Sequence, residues 1–298
     1  MLPTLRQLQY LKLLAQHGSF SRAAGAAHVT QPTLSAGVQE LEKILGARLV
    51  DRNRSGFILT AAGEEAVARA GAILAQAEDL VQACRGAGQP LEGRLRLGVI
   101  PTVAPFLLPA ALPVLRTRFP RLRLFLREDM TGRLIADLKA GLLDVTLIAL
   151  PYDAAGLEWA HVGDDELMAA FPAGHALAAA TTVSAGNLES ETLILLEDGH
   201  CLRDHALSAC GLGPQKSTHE EGFAATSLAT LVQMVGSGLG VTLLPAMAVE
   251  AGLARAAQVD VRPLAPDLAS REIVVAWRAG STRATEGRIL AEVFAGGP

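Results

Sequence analysis

The segment with the most chemical potential runs Leu196-Glu197-Asp198-Gly199-His200-Cys201-Leu202-Arg203-Asp204-His205-Ala206-Leu207-Ser208-Ala209-Cys210, in which two of the chain's three cysteines stand nine residues apart. A helix starting near Cys201 would leave its sulfur beside unpaired backbone N–H groups and near Arg203, both of which favour thiolate over thiol. Glu197, Asp198 and Asp204 oppose this, so the partners these charges choose decide the net effect. A thiolate that attacks a peroxide becomes a sulfenic acid, and a second thiol can condense with it to a disulfide. In a helix, nine residues rise about 13.5 Å and turn through about 900°, which puts the two thiols on opposite faces. A disulfide needs Cα atoms within about 7 Å, so oxidation is incompatible with an intact helix and the pair would act as a chemically driven switch. Two plainer readings compete. Buried cysteines are commonly inert, and His200, Cys201, His205 and Cys210 are also possible zinc ligands, although H-C-x3-H-x4-C is not a common structural-zinc spacing.

These residues need a framework, and residues 94 to 150 supply its pattern. Strand-like and helix-like runs alternate as Arg94 to Ile100, Pro105 to Phe119, Arg121 to Arg127, Thr131 to Gly141 and Asp144 to Leu150, an order that implies a parallel sheet with right-handed crossovers. A second set follows: a strand over Glu166 to Phe171, another over Thr192 to Leu196, a helix from about Cys201, a helix over Thr226 to Gly236 and a strand over Val241 to Leu244. Arg271 to Trp277 returns as a strand before a last helix from Ser281. Two α/β lobes of this kind suggest a periplasmic-binding-protein-like clamp. Ligands of such sheets sit at the carboxyl ends of strands, where Pro101-Thr102, Thr131 and His200-Cys201 fall, although each threonine taken separately reads as a helix cap. The run Gly236-Ser237-Gly238-Leu239-Gly240 follows a helix and precedes a strand, the reverse of a dinucleotide loop, so no nicotinamide cofactor is expected.

The first sixty residues read differently. Leu8, Leu11 and the pair Leu13, Leu14 fall at helical spacing until His17-Gly18. Ser19 can cap a second helix with Phe20, Ala23, Ala24 and Ala27 inward, and Thr30 a third whose Leu34, Val38, Leu41 and Leu45 share one face. That register turns Pro32, Ala36 and Gln39 outward, with Thr33 and Ser35 on the flanks. A small, polar N-terminal half suits approach to base edges in a major groove, making Gln31, Pro32, Thr33, Ser35 and Gln39 the candidate readers. Leu49-Val50 and Phe57-Ile58-Leu59 around a basic turn read as a β-wing that places Arg52 and Arg54 against phosphates. A plain three-helix bundle is the competing reading. Thr60 can then cap a long helix to about Ala83, ended by Gly86 and Gly88. Its Val67, Ala70, Leu74, Ala77, Val81 and Cys84 form a heptad seam for a two-fold dimer, with packing on its own domain as the alternative and Cys84 as a small apolar filler.

The wording of this region, with Phe20-Ser21-Arg22-Ala23-Ala24, Val29 to Ser35, Leu41-Glu42, Leu45-Gly46 and Leu59 to Gly63, resembles the LysR-type transcriptional regulators. Further on, Ile100 to Pro105, Leu107-Leu108-Pro109, Leu196 to Cys210, Ala225 to Leu228 and Thr242 to Ala246 resemble the OxyR subfamily, the hydrogen-peroxide-sensing activators of that type. The resemblance implies a winged helix-turn-helix over residues 1–60, a dimerising linker helix over 61–88 and a redox-sensing α/β domain over 89–298. Within the last, one lobe would span 89–163 and 270–298 and the other 164–269. It also implies that Cys201 is the peroxidatic and Cys210 the resolving cysteine. Thr102, Thr131, His200 and Arg203 would lie around the peroxide, with Asp204 and Arg271 in support. The implied partners are double-stranded DNA, hydrogen peroxide, further copies of the chain as dimer and tetramer, and RNA polymerase. The Glu220-Glu221 insertion is less typical of the group.

Composition agrees with a regulator. Residues 1 to 60 carry seven Lys/Arg against three acids, so this part is +4 while the remainder of a chain of net charge −4 is −8, the pattern of a small nucleic-acid-binding module on an acidic body. No run of about 18 uncharged apolar residues spans a membrane, and Met1 to Tyr10 lacks the order of a signal peptide, so a cytoplasmic protein is expected. In that reducing compartment three cysteines do not suggest a permanent disulfide framework. No metal or cofactor is expected. Two other functions stay open at this point: a LysR-type regulator that binds a small organic effector between its lobes, and a thiol peroxidase, against which the DNA-binding half argues.

Overall fold

A computed structural model of the chain describes residues 2–53, 56–85, 89–211, 224–265 and 270–296. Two compact units emerge, one on Met1–Gln89 with Ala136–Asp144 and Gly280–Thr282, the other on Pro90–Ile135, Val145–Ala279 and Arg283–Pro298.

In the first unit, Thr4 and Gln7 form a capping box for α1 (Leu5–His17), and Gly18 closes it in the left-handed region at φ 60°. Ser19 precedes α2 (Phe20–Ala26) as expected but makes no side-chain cap bond. Thr30 caps α3 (Gln31–Leu45) by accepting from the Thr33 amide. Leu8, Leu11, Leu14, Ala23, Ala24, Leu34, Val38 and Leu41 bury together, the periodic positions of all three helices. Leu45, expected on that face, is the last residue of α3 and is exposed instead. Strands β1 (Val50–Asn53) and β2 (Gly56–Leu59) pair antiparallel as the wing. Glu42 Oε1 accepts from the Leu49 and Val50 amides at 2.8 and 3.1 Å and fastens the wing to α3.

The long helix α4 (Ala61–Arg85) starts at Thr60, whose hydroxyl accepts from the Gly63 amide. Its seam needs correction. Ala70 is buried in the winged-helix core and Val67 and Leu74 pack against that core, so this half of the seam is occupied within the chain. Its second half is not: Val81 and Cys84 are exposed, as are the neighbouring Ile73 and Leu80 outside the expected seam.

In the second unit, β3 (Gly93–Val99), α5 (Ala104–Arg118), β4 (Leu122–Glu128), the start of α6 (Thr131–Lys139) and β5 (Val145–Leu150) follow the expected alternation, and β4, β3 and β5 pair parallel. Every residue of β5 is buried, as the interior strand of a sheet covered on both faces requires. β6 (Leu157–Pro172) is longer than its expected Glu166–Phe171, since Leu157–Asp165 is too polar to show strand alternation. Its first part pairs antiparallel with β9 (Ser270–Arg278); its last part pairs with β7 (Thr242–Pro245) and β8 (Val259–Pro263). The strand order is β4-β3-β5-β9-β6-β7, with β8 also on β6, so β6 serves both α/β lobes. The strand expected over Thr192–Leu196 is reduced to isolated bridges, Leu193 with Val241 and Leu196 with Ala225. Around these lie α7 (Ala185–Glu189), α8 (Cys201–Ala209), α9 (Leu228–Gly236), α10 (Ala246–Glu250), α11 (Leu253–Ala256) and α12 (Ala284–Ala295).

Candidate functional site

Helix α8 begins at Cys201, as its sequence requires. Glu197 donates its amide to the Ala225 carbonyl, and Gly199 then turns the chain at φ 97°, where a Cβ would come within 2.5 Å of Met130 Sδ. Both conditions call for glycine. His200 occupies the N-cap position, and Cys201, 3% exposed, opens the helix. Cys210 stands at the C-cap, packed among Leu196, Leu202, Ala206 and Leu207. Both cysteines are free thiols, separated by the full length of an intact helix.

The Cys201 thiol is raised above its ordinary value, first by burial, against which the Thr131 hydroxyl, the Arg271 charge and the Leu202 amide all favour the thiolate. Thr131 Oγ1 is buried and the sulfur is the group its hydroxyl faces. Arg203, expected to assist, does not act on the thiol. Its Nε pairs with Asp198 at 2.9 Å and its Nη1 donates to the Leu196 carbonyl at 3.2 Å, bracing the loop that enters α8. The basic group that reaches Cys201 is Arg271, from β9. Asp204 is exposed and opposes ionisation. Cys210 is pushed up to about 11 by burial alone.

Arg271, 0% exposed, is fully engaged. Its Nη1 donates to Thr102 Oγ1 at 2.8 Å and its Nη2 to the Thr102 carbonyl at 3.1 Å. Its Nε and Nη2 reach Asp165 Oδ2 at 2.9 and 2.8 Å, and Asp165 Oδ1 accepts from the Met247 amide at 3.1 Å. Thr102 just after β3 and Thr131 just after β4 stand at carboxyl ends of parallel strands, the place where such sheets bind ligands.

Two neighbours, Tyr152 and Asp165, escaped the sequence reading, and His205, weighed there only as a zinc ligand, is a third. Tyr152 is raised by burial and by negative charge on Cys201 and Asp204, which marks it as close to the site. His205 Nε2 donates to the Pro151 carbonyl at 3.0 Å, and its buried Nδ1 has no partner. Burial lowers His205, and also His200, so both are neutral imidazoles at pH 7. Asp165 carried no local signal, because its role comes from cross-strand register with Arg271. Among the described residues, no three His, Cys, Asp or Glu side chains are grouped as metal ligands, and no helix is long and apolar enough to cross a membrane.

In the first unit, α3 presents Gln31, Pro32, Thr33 and Gln39 exposed and Ser35 half-buried. Gln31 Oε1 accepts from Ser21 at 3.0 Å. Thr33 shares a 2.8 Å hydroxyl contact with the capping Thr30. Arg52 lies on β1; Arg54 and the Glu220-Glu221 insertion lie outside the described residues.

Residues 5–64 match the bacterial regulatory helix-turn-helix proteins of the lysR family, and residues 88–295 match the LysR substrate binding domain. The HTH-type transcriptional regulator EstR of Acinetobacter baylyi is 44% identical over 248 residues, covering 83% of this chain and 81% of that protein. The DNA-binding transcriptional dual regulator OxyR of Escherichia coli is 38% identical over 291 residues, 97% of this chain and 94% of that one. Among solved structures, a full-length OxyR from Pseudomonas aeruginosa with a cysteine-to-aspartate substitution aligns with a TM-score of 0.81 at 34% identity, over 100% of this chain and 99% of that chain.

Proposed function

The chain belongs to the LysR family of bacterial transcriptional regulators, and on that premise we propose that it senses hydrogen peroxide through Cys201 and passes the signal to DNA by joining Cys201 to Cys210. One observation carries the reading: a buried free thiol flanked by Thr131 and Arg271 opens a helix that holds a second buried free thiol at its far end. The Cys201 thiolate attacks one peroxide oxygen; the S–O bond forms as the O–O bond breaks, sulfur is oxidised by two electrons, and the departing hydroxide takes a proton to leave as water. Thr102 and Thr131 orient the peroxide, and the neutral His200 lines the approach. Arg271 favours the thiolate, while Arg203 and Asp204 hold the loop and first turn. The Cys210 sulfur then displaces hydroxide from the sulfenic acid, forming the disulfide and a second water. Because the helix keeps the sulfurs about 13.5 Å apart along its axis, α8 must unwind, and the repacking of the lobe that surrounds Cys210 is the signal.

At the other end, Gln31, Pro32, Thr33, Ser35 and Gln39 read the major groove while Arg52 and Arg54 hold phosphate. Two copies pair through α4 by way of exposed Ile73, Leu80 and Cys84 with Ala77 between, spaced 4, 3 and 4, and dimers assemble to tetramers on DNA in the cytoplasm, where the protein contacts RNA polymerase. The similarity to EstR, whose name carries no peroxide, keeps a second reading alive, a small organic effector between the lobes; a thiol peroxidase is disfavoured by the DNA-binding unit. Footprinting on a target promoter separates the readings. Peroxide changes the wild-type footprint and leaves Cys201→Ser unchanged; a peroxide-dependent footprint in Cys201→Ser refutes the redox reading.

A further inference from the structure

The buried chain Met247–Asp165–Arg271–Thr102 has a direction. A guanidinium only donates, so Thr102 Oγ1, at 2.8 Å from Arg271 Nη1, accepts there, and its own O–H proton must point elsewhere. Arg271 also grips the Thr102 carbonyl, fixing backbone and hydroxyl together. The fork itself is held from behind: Asp165 faces Arg271 directly across β6 and β9, takes two guanidinium contacts on Oδ2, and is anchored through Oδ1 by the Met247 amide. With Asp165 and Arg271 at 3% and 0% exposure, water cannot substitute for either partner, and removing one leaves the other an uncompensated buried charge.

We propose that Asp165 is a positioning residue for the oxidation of Cys201: through Arg271 it aims the Thr102 hydroxyl proton at the peroxide and limits how much guanidinium charge reaches the thiol. This rests on the peroxide reading above. The two consequences run in opposite directions. Losing the carboxylate charge frees positive charge to favour thiolate while loosening the donor that orients the peroxide. A general loss of structure would not divide the two reactions in this way.

The test uses reduced full-length protein and Asp165→Asn, which keeps size and an acceptor oxygen but removes the charge. Cys201 is followed by peptide mass analysis in two reactions, oxidation by hydrogen peroxide and alkylation by iodoacetamide across pH. Oxidation is expected to slow by about 10- to 100-fold, the usual cost of a misplaced reacting group, while alkylation at pH 7 rises and its pH profile moves down. In an Arg271→Lys background the same substitution should slow oxidation little further, since the fork that aims Thr102 is gone, while alkylation still rises because the positive charge remains to be unmasked. Should Asp165→Asn fail to melt cooperatively, Asp165→Glu decides: it keeps the charge but displaces the carboxylate from the fork, and should slow oxidation far more than it changes alkylation. Equal fold-changes in both reactions, or none, overturn the proposal. If wild-type Cys201 ignores peroxide, the peroxide reading fails, and the alkylation profile alone still shows whether Asp165 governs the thiol.

Discussion

Gln31, Pro32, Thr33 and Gln39 stand exposed along a short stretch of one helix, whereas Thr102, Thr131, Asp165, Cys201 and Arg271 come from separate elements and are all buried. Exposed readers each exchange water for a base edge and are replaceable one at a time. The buried groups satisfy one another, so removing one strands the next. The two surfaces should therefore respond to substitution in different ways: local and independent at the DNA end, and coupled from one residue to the next at the thiol.

The largest expected effect is at Cys201. Cys201→Ser should abolish the peroxide response while reduced-state DNA binding stays at the wild-type level, and Cys210→Ser should leave a sulfenic acid at Cys201 that persists or over-oxidises. Mass analysis with a sulfenic-acid trap checks the second claim. Loss of DNA binding in reduced Cys201→Ser would mean that the two regions are not separable.

Helix α4 gives the next largest effect. Leu80→Asp places a carboxylate on the exposed face and should shift the protein toward monomer in sedimentation, with folding intact. Leu74→Asp instead strikes the half-buried face against the winged-helix core and should lower the melting temperature, since an unpaired buried carboxylate is costly. The reverse pattern would restore the Val67–Leu74–Val81 seam as the dimer contact.

A pH series sharpens the contrast further. Burial raises the Cys201 thiol above 9.0, and the reactive form is the deprotonated one, so the oxidation rate should climb about tenfold per pH unit from pH 6 toward 9 and level off only above the raised value. A rate already flat at pH 7 would show that the thiol is activated rather than suppressed in the reduced protein. The smallest effects belong to the readers. Gln31→Ala should cost about 1 to 3 kcal/mol of discrimination at one base position, whereas Arg54→Ala should weaken all sequences alike and reduce the salt slope by about 1. Competition binding with single-base operator variants distinguishes them.

The same contrast explains what the sequence made legible. Helix caps at Thr30 and Thr60 and the burial of Leu34, Val38 and Leu41 follow from residues close in the chain, and they appear where periodicity puts them. Cys201 at the start of α8 was equally local. Arg203 was misjudged because proximity in sequence says nothing about direction: one residue pair along α8, its guanidinium turns back to Asp198 and Leu196. Asp165 was invisible, since its partner Arg271 lies 106 residues away and only the β6–β9 register brings them together. Val67 and Leu74 fit a dimer seam and an intramolecular face equally well by spacing, and within the chain they pack in part against the winged-helix core.

The central claim is that a helix holding two thiols apart is the sensor, and peptide mapping under non-reducing conditions tests it most directly. Reduced full-length protein is treated with one equivalent of hydrogen peroxide, alkylated, digested and analysed by mass. The account predicts an intrachain Cys201–Cys210 disulfide, with Cys84 recovered as the alkylated thiol although it is the exposed cysteine. Recovery of Cys201 and Cys210 as unoxidised thiols, or a disulfide that includes Cys84 in their place, would contradict it.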